Sequence, residues 1–117
     1  MVLSYTTSPA YHIIAEKKTQ YAADNFPEGH YLQVEVAGVT AHAPHPELAR
    51  KFLQFMLSTK FQDVIPETNW MYPAAATSTG LPAAFPPLPG KSLMIPSDEV
   101  AKNRKAWIDE WLAAMSQ

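Results

Sequence analysis

The sequence has no cysteine among its 117 residues. That excludes disulfides, thiolate metal centres and a cysteine nucleophile. It has no excess of basic charge: nine Lys and Arg against eleven Asp and Glu leave a net charge of −2. The electrostatic footprint of a nucleic-acid-binding protein is therefore missing. No apolar run approaches the length of a membrane-spanning helix. No signal peptide is visible, because Met1 leads straight into strand-like residues. A chain that opens inside a strand is expected to be a piece of a longer one. There is no Gly-x-Ser-x-Gly and no phosphate loop. Ser8 has His12 one helical turn on, but no carboxylate is evident to orient it, so an enzyme is not expected. No internal repeat is present.

What is there reads as part of a globular protein. Hydrophobic residues make up 47% of the chain and charged residues 17%, which argues against disorder. The length is enough for one domain core. Eleven prolines are many for this length, and they cluster late.

The densest chemistry lies in Ser4-Tyr5-Thr6-Thr7-Ser8-Pro9-Ala10-Tyr11. Val2 and Leu3 read as the end of a buried strand. Ser8 before Pro9 reads as a helix start, with Ser as N-cap and Pro at the first helical position. A strand–loop–helix corner exposes backbone N–H groups and a partial positive charge, which suit an anion or a polar ligand group. Tyr5 and Tyr11 add flat faces for a planar or cationic ligand.

Further on, Pro9 to about Lys18 reads as a short helix with cations in its last turn. Tyr21 to Gly29 reads as a loop. His30 to Gly38 carries the clearest strand pattern: Leu32, Val34 and Val36 alternate with Gln33 and Glu35. Pro46 opens a helix predicted to run to about Gln62, with Leu48, Phe52, Phe55 and Met56 on one stripe. Pro66 is expected to stop the apolar run. Trp70 and Tyr72 fall in a loop. Residues 74–96 hold Pro82, Pro86, Pro87, Pro89 and Gly90, which leaves room for an ordered surface crossing or a loose loop but no long helix or central strand. Ser97 is expected to cap the last helix. On that helix Val100, Arg104, Trp107, Ile108, Trp111, Leu112 and Met115 form one stripe, read as core packing.

These residues carry a resemblance. Ser-Tyr-Thr-Thr-Ser-Pro-Ala-Tyr-His, then Gly-His-Tyr-Leu-Gln-Val-Glu-Val, Lys-Phe-Leu-Gln-Phe-Met and Asn-Trp-Met-Tyr-Pro, resemble the C-terminal part of the bacterial periplasmic thiamine-binding protein family. The resemblance covers nearly the whole chain and is weakest across 74–98. It implies an α/β fragment of the type II periplasmic-binding-protein fold, two lobes with mixed sheets flanked by helices. Residues 1–28 would belong to the second lobe. Residues 29–80 would cross the hinge into the first lobe, and 81–117 would cross back, ending in a helix on the second. It implies thiamine or its phosphates as the transported ligand, no cofactor, a membrane permease of an ABC transporter as partner, and the periplasm as location. It places Tyr5, Thr6, Thr7, Ser8, Tyr11 and Trp70 at the ligand. As a fragment, the chain is expected to self-associate or to pair with the missing N-terminal part.

Other readings stand beside this one. Tyr5, Tyr11 and Trp70 could each be core residues, and Thr6-Thr7-Ser8 could be local capping. Ferric-iron binders of the same group use two adjacent tyrosines, whereas Tyr5 is followed here by Thr6. His42 and His45 sit in a polar connector, a solvated loop by default. A third reading makes the Trp-rich terminal helix a docking module, in which case Trp107 and Trp111 are exposed.

Overall fold

A computed structural model describes residues 2–116. The elements run α1 (Ser8–Ile14), β1 (His30–Tyr31), α2 (Pro46–Met56), α3 (Thr59–Gln62), α4 (Ile65–Thr68), β2 (Ser92–Leu93) and α5 (Ser97–Met115). Helices and a small sheet alternate, so the α/β class holds, but the described residues build only one two-stranded sheet. Its strands are parallel, with His30 opposite Ser92 and Tyr31 opposite Leu93.

The chain is open. Its radius of gyration is 17.7 Å, against about 13 Å for a compact domain of this length. Its accessible surface is 9499 Å², against roughly 6,300 Å² for a compact monomer of similar mass. The buried residues are few: Thr7, Ala10, Gln62, Pro66 and Phe85.

Several predicted elements are cut short, each for a local reason. Val2 and Leu3 are not the end of a buried strand; they are unpaired and exposed. α1 starts one residue early, with Thr7 rather than Ser8 at the cap and Pro9 in the first turn. It ends before Lys18 because Lys17 turns left-handed at φ 58°. The Lys18 N–H then folds back onto the His12 carbonyl at 2.9 Å, closing the helix end. The strand pattern at 30–38 pairs only at its first residues. Leu32 N donates to Leu93 O at 3.0 Å, and beyond that the described residues make no backbone pairing; only the Asn69 side chain reaches the segment, donating to Glu35 Oε2 at 3.0 Å. Val36 is 89% exposed. The alternation is present in the residues, but neither face of 32–36 is buried among the described residues.

The helix expected from Pro46 to Gln62 breaks at Leu57 and Ser58. Ser58 is extended (φ −70°, ψ 149°) and its side chain accepts from Phe61 N, which starts α3 afresh. Phe52, Phe55 and Phe61 pack ring to ring across this break, with centroids 5.7–6.4 Å apart. Pro66 does not stop the run; it sits in the first turn of α4, where a missing N–H costs nothing.

The proline-rich stretch is an ordered crossing. Gln62 donates to Met56 O at 2.6 Å and accepts from Ala75 N at 3.0 Å. Asp63 accepts both Ser78 N and Ser78 Oγ at 2.7 Å. The crossing ends in β2, a short strand that the prolines before it had masked. Gly29 makes the close approach there: its φ is +113°, and a Cβ would stand 3.0 Å from Leu93 Cγ.

α5 begins at Ser97 itself, with Pro96 in the cap position and no side-chain cap bond. The stripe read as core is not buried. Trp107 is 38% exposed and Trp111 50%. The described residues leave this stripe uncovered, and both tryptophans are exposed as the docking reading of this helix requires.

Candidate functional site

Two aromatic groupings meet at the α1 corner. The first lines an open recess of about 520 Å³. Leu3, Ser4, Tyr5, Thr6 and Thr7 form one wall; Tyr31, Leu32 and Gln33 form another; Met71 and Tyr72 close it. Tyr72 is held by its hydroxyl, which donates to Pro86 O at 3.0 Å, and by an edge contact with the buried Phe85 ring at 5.8 Å.

The second grouping is a row of rings. Trp70 meets Tyr11 edge to face at 5.2 Å and 81°. Tyr11 meets His12 at 5.2 Å, and His12 lies on Tyr21 at 4.2 Å. Trp70 holds a left-handed backbone, φ 55°, which strains a side chain of that size. Such strain persists only where its surroundings impose it, and it concentrates at functional sites.

The six predicted site residues therefore divide. Tyr5, Thr6 and Thr7 lie together on the recess wall, Thr7 buried and Tyr5 exposed. Tyr11 and Trp70 lie together in the ring row. Ser8 joins neither grouping directly; its hydroxyl is 2.8 Å from that of Ser4. Both groupings hang on the same two segments, since Tyr5–Thr7 run into α1 and Met71 and Tyr72 follow Trp70. Sequence reasoning missed Tyr31, Gln33, Met71 and Tyr72. Tyr31 and Gln33 occupy the polar face of the alternating run at 30–38, and that outward face was the available signal.

The expected anion receptor at the helix start is largely occupied. Ser8 N donates to Tyr5 O and Ala10 N to Thr7 O, each at 3.0 Å, and Pro9 has no N–H. Charge near the ring row is paired. His12 Nδ1 and Glu16 Oε2 are 2.8 Å apart, and Lys18 Nζ is 3.1 Å from the same oxygen. The hydrogen bond to His12, then that to Lys18, holds the Glu16 carboxyl below its ordinary value. The hydrogen bond to Glu16 raises the Lys18 ammonium. Among the described residues no cluster of three or more His, Asp or Glu is placed to hold a metal; His42 and His45 are exposed in the connector. The arrangement offers flat faces and hydroxyls, which suit a planar or cationic organic ligand.

No protein-family model matches the chain. It is 60% identical over 119 aligned residues to the thiamine-binding periplasmic protein of Brucella melitensis, covering all of this chain and 36% of that protein. The chain matches the C-terminal part of thiamine-binding periplasmic proteins. The Escherichia coli K12 thiamine-binding periplasmic protein is also 60% identical, with the same coverage. That of Haemophilus influenzae is 47% identical over 73 residues, 62% of this chain and 22% of that protein. A solved periplasmic thiamin binding protein superposes with a TM-score of 0.80 at 59% identity, over 97% of this chain and 36% of its own. The chain thus spans about a third of the length of the thiamine-binding relatives it matches, and it adopts the corresponding part of their fold.

Proposed function

We propose that this chain forms the C-terminal part of a periplasmic receptor that binds thiamine and hands it to a membrane permease of an ABC transporter. The observation that carries this is the Trp70–Tyr11 pair, presented on a strained loop beside the Tyr5–Thr7 wall. Thiamine has a permanently charged thiazolium and a flat aminopyrimidine. An aromatic face attracts the first by about 0.5–2 kcal/mol, depending on desolvation. It stacks on the second, and hydroxyls of Tyr, Ser and Thr can meet the ring nitrogens or the hydroxyethyl tail. The ligand in this reading is thiamine or one of its phosphates. Thiamine is cargo in this reading, and the chain performs no catalysis.

The proposed division follows the same logic. Residues 1–28 and 81–117 belong to one lobe, and 29–80 cross the hinge into the other. A receptor of this kind closes two walls around its ligand, and this chain carries part of one cleft. The test replaces the C-terminal third of the Brucella melitensis relative with this chain and titrates thiamine by calorimetry. Submicromolar binding without metal is expected. Absence of heat with thiamine and its phosphates, or strict dependence on ferric iron, would sink the proposal.

A further inference from the structure

The ring row contains two members that the ligand reading does not use, His12 and Tyr21. His12 is half-buried between Tyr21 and Tyr11, with ring centroids at 4.2 and 5.2 Å. Its Nδ1 is tied to Glu16 at 2.8 Å. Glu16 is itself tied to Lys18 at 3.1 Å. The His12 carbonyl accepts Lys18 N at 2.9 Å and Glu16 N at 3.2 Å, at the point where Lys17 turns the chain left-handed. The imidazole is thus fixed at its edge by a carboxylate and on its face by a phenol. Tyr11 is 39% exposed, and its ring meets His12 on one side and Trp70 on the other.

We infer that His12 is a positioning residue, holding the Tyr11 ring at the angle from which it and Trp70 meet a cationic aromatic ligand. The inference rests on the thiamine reading above. A preorganised ring binds without first losing rotamer freedom, and that saving appears in affinity. Glu16 serves as the anchor of the positioning residue and does not itself face the ligand.

The test uses the same chimera, titrated with thiamine as wild type, His12→Ala, Tyr11→Leu and the double variant. His12→Ala should weaken binding about fivefold or more. In the Tyr11→Leu background the same change should have little further effect, because the histidine acts through that ring. A merely structural role would instead lower the melting temperature and give additive losses. Should His12→Ala fail to fold, Glu16→Ala decides on the same cycle; it loosens the anchor at an exposed position and should weaken binding two- to threefold, only when Tyr11 is present. Wild-type binding with the variants within twofold of it, or with additive losses, overturns the positioning role alone. No thiamine binding by the wild-type chimera overturns the ligand reading and this inference with it.

Discussion

Trp70 concentrates two properties that pull in opposite directions. Its left-handed backbone costs about 1–2 kcal/mol relative to glycine, while its ring anchors the row through Tyr11. The two can be separated. Trp70→Ala keeps the strain and removes the ring; thiamine binding by the chimera should fall more than tenfold, about 1.4 kcal/mol or more. Trp70→Gly should bind as poorly but melt later than Trp70→Ala, and paired urea melts check that order. The Glu16–Lys18–His12 network makes a second prediction. Glu16 is lowered in the folded chain, so its contribution is complete above the ordinary carboxylate value of about 4.3 and is lost as pH falls through the lower folded value. Lys18 is raised, so its contribution is complete below about 10.4 and is lost as pH climbs through the folded value. The end of α1 should therefore be most closed between those limits. Hydrogen exchange at the Lys18 amide, corrected for intrinsic rate, should show protection across neutral pH and its loss in acid.

At the scale of elements, the sheet depends on one glycine. Gly29→Ala adds a Cβ 3.0 Å from Leu93 and forces a residue with a side chain to φ +113°. Amide protection at Leu32 should disappear in that variant, while protection in α2 is unchanged. The last helix makes a different prediction. Trp107 would cost about 3–5 kcal/mol on truncation if it were core, but at 38% exposed in this chain it should cost about 1 kcal/mol or less. Much of this was legible in the residues: the helix starts near Pro9, Pro46 and Ser97, and the loop around Trp70. What was not legible had physical causes. Period-two alternation at 32–36 reports which face would be buried, not whether a partner strand is at hand. The stripe through Trp107 and Trp111 reports amphipathicity in the same way. The break at Ser58 comes from a local cap competing with helix continuation, and periodicity cannot see it. Of the candidate site, Tyr5, Thr6 and Thr7 were placed together by adjacency in sequence. The approach of Trp70 to Tyr11 across 59 positions was supplied only by the resemblance, since no local pattern encodes it.

For the whole molecule, the decisive quantity is surface. The chain exposes roughly 3,000 Å² more than a compact monomer of similar mass would. Excess of that order matches a large obligate interface. Much of it is apolar: Val34, Val36, Phe52, Phe55, Trp107 and Trp111 all stand in the open. In the receptor reading the remaining two thirds of the protein cover these faces and complete the cleft. Alone, the chain has an open, incomplete site in which the thiazolium stays largely hydrated. Each cation–π contact then falls to about 0.5–1 kcal/mol, too little to offset the entropy of fixing the ligand. The isolated chain should accordingly associate through its uncovered faces, which sedimentation velocity will register as species heavier than the monomer. The most direct measurement is thiamine affinity for residues 1–117 alone beside that of the same residues joined to the N-terminal two thirds of the Brucella melitensis relative. The account predicts weak or no binding by the first and submicromolar binding by the second. A monomeric 117-residue chain that binds thiamine with submicromolar affinity by itself would contradict it.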